Sequence, residues 1–136
     1  MGYHALGLAH LLRGEPEPGI RAFEAAIRIS PNDGQLHVWL GTLSSGHYLA
    51  RDYEKAAESA EVGVQRAPHY PMGWRSLANA LGQLGRINDA HLALERFLTL
   101  MPGYTTEQAA RGAVAFRDEA VFQHYLEGLR KAGWKG

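Results

Sequence analysis

There is no cysteine in this 136-residue chain, so no disulfide staples it, which fits a reducing compartment and makes cytoplasm the expected location. There is no net charge either: Lys+Arg and Asp+Glu are both 14, and the general electrostatic pull toward phosphate backbones or anionic lipid is missing. Nucleic acid is not an expected partner. Apolar stretches are short and broken by Gly, Arg or His, well under the roughly 20 residues of a membrane span. Met1 to Arg13 lacks the charged start and cleavage site of a signal peptide.

Catalytic sets are missing as well. Seven histidines, His4, His10, His37, His47, His69, His91 and His124, include no pair three or four apart, so no helix presents a two-histidine zinc face. Ser44 and Ser45 sit without a readable nucleophile elbow, and Gly82 and Gly85 belong to no phosphate loop. Asp118 and Glu119 are adjacent, which suits helix capping better than acid-base work. No cofactor, metal or catalytic residue is expected, and the chain reads as a non-enzyme.

What is present is a period. Pro31, Pro68 and Pro102 each close a helical phrase, at intervals of 37 and 34 residues. Trp74, Leu77, Ala78 and Leu81 share one helix face, Gly85 stops that helix, and Ala90, Leu94, Phe97, Leu98 and Met101 form the facing stripe of the next. Small Ala78 and Ala90 let the pair approach closely. Asn88 is the expected cap of the second helix, and Pro102 cannot continue it.

Trp74, Leu77, Ala78, Leu81, Gly85, Ala90, Leu94, Phe97 and Pro102 resemble the tetratricopeptide repeat, whose signature runs over 34 positions. Tyr3, Leu6, Gly7, His10, Gly14, Gly19, Phe23 and Ala26 repeat it before Pro31, with His10 and Gly19 as departures. Leu40, Leu43, Ser44, His47, Ala56, Ala60 and Gly63 give a degenerate middle unit, with an insertion expected near Asn32 to Gln35 and Trp39 beside the aromatic slot. The resemblance implies an all-α fold, a right-handed superhelix of antiparallel helix pairs. One domain over 1–136 is expected, with units at 1–33, 34–70 and 71–104 and capping helices at 105–136.

Four helix pairs are expected, the last irregular: 3–13 with 17–30, 35–49 with 53–67, 71–84 with 88–101, and 106–115 with 118–132. Pro18 suits a first turn and Asp52 a cap, and Thr105 with Gln108 has capping-box spacing. Asp118 and Glu119 open the last helix, Arg130 and Lys131 end it and Gly133 follows, each charge favourable to the helix dipole. The first helix, with Ala5, Leu6, Leu8, Ala9, Leu11 and Leu12, is apolar on more than one face. That predicts a fragment of a longer protein, or homo-oligomer formation through this helix.

The closing phrase, Phe116, Arg117 and Asp118 and then Tyr125 through Gly133, resembles the end of the repeat regions of bacterial class III adenylate or guanylate cyclases and related regulators. This implies a regulatory or scaffolding appendage.

Stacked pairs form a concave groove lined by the first helix of each unit. Met72, Arg75, Asn79 and Gln83 project into it from the third unit, Val38, Gly41, Ser45, Tyr48 and Leu49 from the second, and His4 and Leu8 from the first. Arg75 and Asn79 resemble part of the carboxylate clamp of some tetratricopeptide co-chaperones, but His4 and Leu8 lack the rest of it. The expected function is binding of a protein segment, a peptide or helix, at Arg75, Asn79, Gln83, Met72, Tyr48, Ser45 and His4. The alternatives are a small-effector sensor using His4, Tyr48 and Arg75, or a structural or dimerisation spacer.

Overall fold

A computed structural model describes residues 2–114 and 116–136. Eight helices follow one another: α1 (Tyr3–Leu12), α2 (Pro16–Ile29), α3 (Leu36–Leu49), α4 (Tyr53–Arg66), α5 (Pro71–Gln83), α6 (Ile87–Leu100), α7 (Glu107–Ala113) and α8 (Glu119–Lys131). No strand occurs among the described residues. Each helix from α1 to α5 packs on its successor, while α1 touches α3 and α3 touches α5, so α1, α3 and α5 form one inner wall. This is the expected superhelix of antiparallel pairs. Met1 and Ala115, the ends of the expected first unit and seventh helix, lie outside the described residues.

The pairs close through the small residues of the repeat. Ala56, Ala60, Ala78 and Ala90 are fully buried. In the first pair the approach is closer still: a Cβ at Gly19 would come within 2.8 Å of the Leu11 side chain, and one at Gly7 within 2.7 Å of the Phe23 ring. That contact accounts for Gly19 where alanine is usual. Ser44, at the equivalent place in the second pair, donates its hydroxyl to the Ala56 carbonyl at 2.7 Å.

The turns repeat too. Gly14, Arg51 and Gly85 all have left-handed backbones, φ 74°, 65° and 77°, at the same point between paired helices. Glycine takes that conformation without steric cost, and arginine does not. Of the three extra residues of the second unit, two lengthen the turn ahead of α3, 30–35 against 67–70 ahead of α5, and one lengthens α3, 14 residues against 13 in α5. In that turn the Gln35 amide donates to Asp33 Oδ1 at 2.7 Å.

Three expectations need correction. The residue at the N-cap of α6 is Arg86, not Asn88, because the chain enters the helix directly from the Gly85 turn. Thr106, not Thr105, caps α7, its hydroxyl accepting from the Ala109 amide. Nor do α7 and α8 form a fourth stacked pair: α8 lies across the inner wall, against α5 and α3. Asp52 and Asp118 do cap α4 and α8.

The core is uneven. One large cluster runs from Tyr48 through α4, α5 and α6 to Leu126, Leu129 and Trp134, and a separate small one holds Leu11, Phe23 and Leu43. The first pair leaves Tyr3, Leu6 and Leu8 exposed.

Candidate functional site: the concave wall and the helix seated on it

The wall residues nominated from the sequence converge, but on a helix of the same chain. Tyr48, 2% exposed, comes from α3; its hydroxyl donates to the His124 carbonyl at 2.5 Å and accepts from the Gly128 amide at 3.0 Å. Both groups belong to one turn of α8. The Tyr48 ring stacks on the His124 imidazole with centroids 4.7 Å apart, and burial pushes its hydroxyl pKa up to about 12. A phenol so placed stays protonated and keeps its donor.

From α5, Asn79 donates from Nδ2 to the carbonyl of the next α8 residue, Tyr125, at 2.8 Å, and Arg75 donates from Nη2 to the same oxygen at 3.3 Å. Arg75 is 1% exposed, and its Nε reaches the Tyr104 hydroxyl at 3.2 Å. No carboxylate among the described residues bonds it. Its guanidinium instead lies 3.8 Å from the centre of the Tyr125 ring, an arrangement in which the aromatic face substitutes for part of the lost hydration. Arg75 Nη1 and Asn79 Oδ1 are buried with no hydrogen-bond partner among the described residues.

Gln83 completes the line toward solvent. Its amide donates to Tyr48 and to Glu127, and its oxygen accepts from Lys131 at 2.8 Å. Burial first, and then the nearby Arg51 charge, lowers the pKa of His124; its Nε2 lies 2.9 Å from the Tyr53 hydroxyl.

The main chains of α5 and α8 meet where Gly82 crosses Gly128. A Cβ on Gly82 would overlap the Gly128 carbonyl, and one on Gly128 would overlap the carbonyl of Asn79. The two glycines therefore set the approach distance.

Met72 and Ser45 are placed differently. They line a neighbouring cleft of about 130 Å³, with Leu8, Leu11, Leu49 and Phe116 as its main apolar walls. The Ser45, Thr42 and Ser76 hydroxyls there are spent on main-chain carbonyls of α3. His4 is not brought to Arg75 or Tyr48: its ring packs edge-on against Phe23 at 5.4 Å and beside Trp39 at 6.0 Å.

Sequence reasoning missed Gly82, Gly128 and the α8 residues His124 and Tyr125 as parts of this site. The signal available was the small residue in α8 beside an aromatic, which the closing phrase contains. No group of three metal-ligating side chains occurs among the described residues.

No family model matches the chain. Over 92 residues it is 27% identical to Tetratricopeptide repeat protein 33 of Xenopus laevis, a match covering 68% of this chain and 34% of that protein. The chain thus spans about a third of the relative. The crystal structure of the Sgt2 TPR domain from Aspergillus fumigatus superimposes with TM-score 0.70 at 21% identity, covering 96% of this chain and 74% of that one. MamA gives 0.66 at 16% identity, with the same coverage. The fold is that of the tetratricopeptide repeat. In this tetratricopeptide superhelix the inner wall carries Tyr48, Arg75, Asn79 and Gln83, and α8 is the segment they hold. No helix among the described residues is long and apolar enough to cross a membrane.

Proposed function

We propose that this chain is a non-catalytic interaction module whose concave wall takes a helix or peptide of a protein partner. The observation that carries the reading is α8 itself. Buried donors on α3 and α5 grip its main chain at His124, Tyr125 and Gly128, so the wall is chemically equipped to hold a helix by its backbone. Met72 and Ser45 extend the surface into the apolar cleft, where a side chain of the partner can anchor. His4 stands apart from this surface and contributes through its packing on Phe23. The test is isothermal titration of helical peptides with a Gly128→Leu chain, whose side chain would overlap the Asn79 carbonyl and unseat α8, and with that chain also carrying Tyr48→Phe plus Asn79→Ala. Binding that weakens at least tenfold, about 1.4 kcal/mol, supports the reading, and unchanged binding overturns it.

A second reading has its own observation. The cleft near Ser45 is apolar, uncharged and of a size that holds an aromatic ring or a branched aliphatic group. A small apolar effector there would raise the melting temperature in a thermal-shift screen, and a Ser45→Leu substitution would abolish the shift.

The finer placement is also a proposal. The closing phrase from Phe116 to Gly133 supports the carboxyl-terminal region of a cytoplasmic nucleotide cyclase or related regulator, with 1–136 as one domain of three units and a capping tail. A cyclase domain encoded upstream in the same reading frame would bear this out, and a different upstream domain would redirect it. The exposed Tyr3, Leu6 and Leu8 support self-association through α1. Sedimentation velocity of the wild type against Leu6→Glu tests it.

A further inference from the structure

The reading of the concave wall as a helix receptor leaves open which helices it accepts, and the contact between α5 and α8 bears on that. Two main chains touch there. With a Cβ on Gly128 the carbonyl carbon of Asn79 would be 2.8 Å away, and with one on Gly82 the carbonyl carbon of Gly128 would be 3.0 Å away. Backbone cannot retreat as a flexible side chain can, so any larger residue at either point lifts one helix off the other.

The same glycine opens α8 to the wall's polar groups. The Tyr48 hydroxyl accepts from the Gly128 amide while donating to the carbonyl of His124, four residues earlier. A side chain at 128 would hold that turn away from the phenol. Three residues before the glycine, the Tyr125 ring fills the place under Arg75, and its carbonyl takes both Arg75 and Asn79.

A second, independent feature sits in this contact. Arg75 Nη1 and Asn79 Oδ1, on side chains 1% and 2% exposed, have no partner among the described residues. Buried polar groups left unpaired are costly, so α8 fills the wall without exhausting its bonding capacity. A helix that met either atom would gain a hydrogen bond that α8 does not make.

We propose that the concave wall selects helices carrying a glycine where they cross Gly82 and an aromatic residue three positions earlier. In the same proposal α8 is the resident example, competing in cis with a partner's helix of that pattern. Partner and resident share the wall, and release of α8 controls access. This rests on the helix-receptor reading above.

The test uses the full chain and a labelled peptide copying residues 119–133, followed by fluorescence anisotropy, with hydrogen exchange of 119–131 reporting whether α8 is seated. In a Gly128→Leu chain the α8 amides exchange faster, and the glycine peptide binds roughly a hundredfold tighter than to wild type, since the cis helix acts at about millimolar effective concentration. A peptide with leucine at position 128 does not bind. A Gly82→Ala chain releases α8 as well but takes neither peptide. Where Gly128→Leu loses its cooperative melt, Gly128→Ala is read with the same two probes. Equal binding of glycine and leucine peptides overturns the selection while leaving the helix-receptor reading intact. Release of α8 with no binding of either peptide overturns both. Unchanged exchange of α8 in Gly128→Leu overturns the glycine requirement.

Discussion

Arg51 holds a left-handed backbone at φ 65° at the turn where Gly14 and Gly85 stand in the other pairs. A side chain there costs on the order of 1 kcal/mol, and its hydrogen bond from Nη1 to His124, at 3.4 Å, is weak. Arg51→Gly is therefore expected to raise the melting temperature by about 3 °C, measurable by calorimetry. Tyr48→Phe works the other way. It deprives the His124 carbonyl and the Gly128 amide of a buried partner and is expected to cost about 1–3 kcal/mol in urea unfolding, with no loss of helical signal. Histidine chemistry adds a pH dependence. Burial is the leading cause lowering the pKa of both His47 and His124 from the ordinary 6.5, so the unfolded chain binds protons that the folded one resists. Their contribution is fully present above pH 6.5 and declines as the pH falls below it, through the lowered folded values. Urea midpoints at pH 7.5 and 5.5 should differ in that direction, and the difference should shrink in His124→Gln.

Among the elements, α8 departs from the stacking rule by lying across the inner wall, against α5 and α3. Its ends are well made: the Asp118 carboxylate accepts from the amides of Ala120 and Val121, and Arg130 and Lys131 lie in the last turn. Those features were legible because caps are local, a side chain bonding backbone two or three residues away. Where the capped helix docks is not local. It depends on Gly82 being opposite Gly128 and on Tyr48, Arg75 and Asn79 lying at one level of the wall, which links residues from three helices. Asp118→Ala is expected to destabilise α8 by about 1 kcal/mol. Hydrogen exchange should place that loss in 119–131 while the α5–α6 amides keep their protection.

For the molecule as a whole, stability is distributed as unevenly as the core. The first pair rests on the small Leu11, Phe23 and Leu43 cluster, whereas α4 to α6 and α8 share one large cluster. Repeat stacks gain stability from neighbour to neighbour, so the end with fewer buried contacts opens first. Native-state exchange is expected to be fastest in α1 and α2, and equal protection in α1 and α5 would contradict it. The chain sequence determined the helices, their pairing and the inner face: apolar residues recur at helical spacing, and Ala78, Ala90, Gly85 and Pro102 fix contact and stop within one unit. It also put Arg75, Asn79, Gln83 and Tyr48 on that face. Only the tertiary structure decided that they hold α8, that Arg75 is buried against the Tyr125 ring, and that His4 packs elsewhere. Periodicity reports which side of a helix a residue occupies. It carries no information about contacts between helices dozens of residues apart, and those are set by shape at the Gly82 and Gly128 crossing.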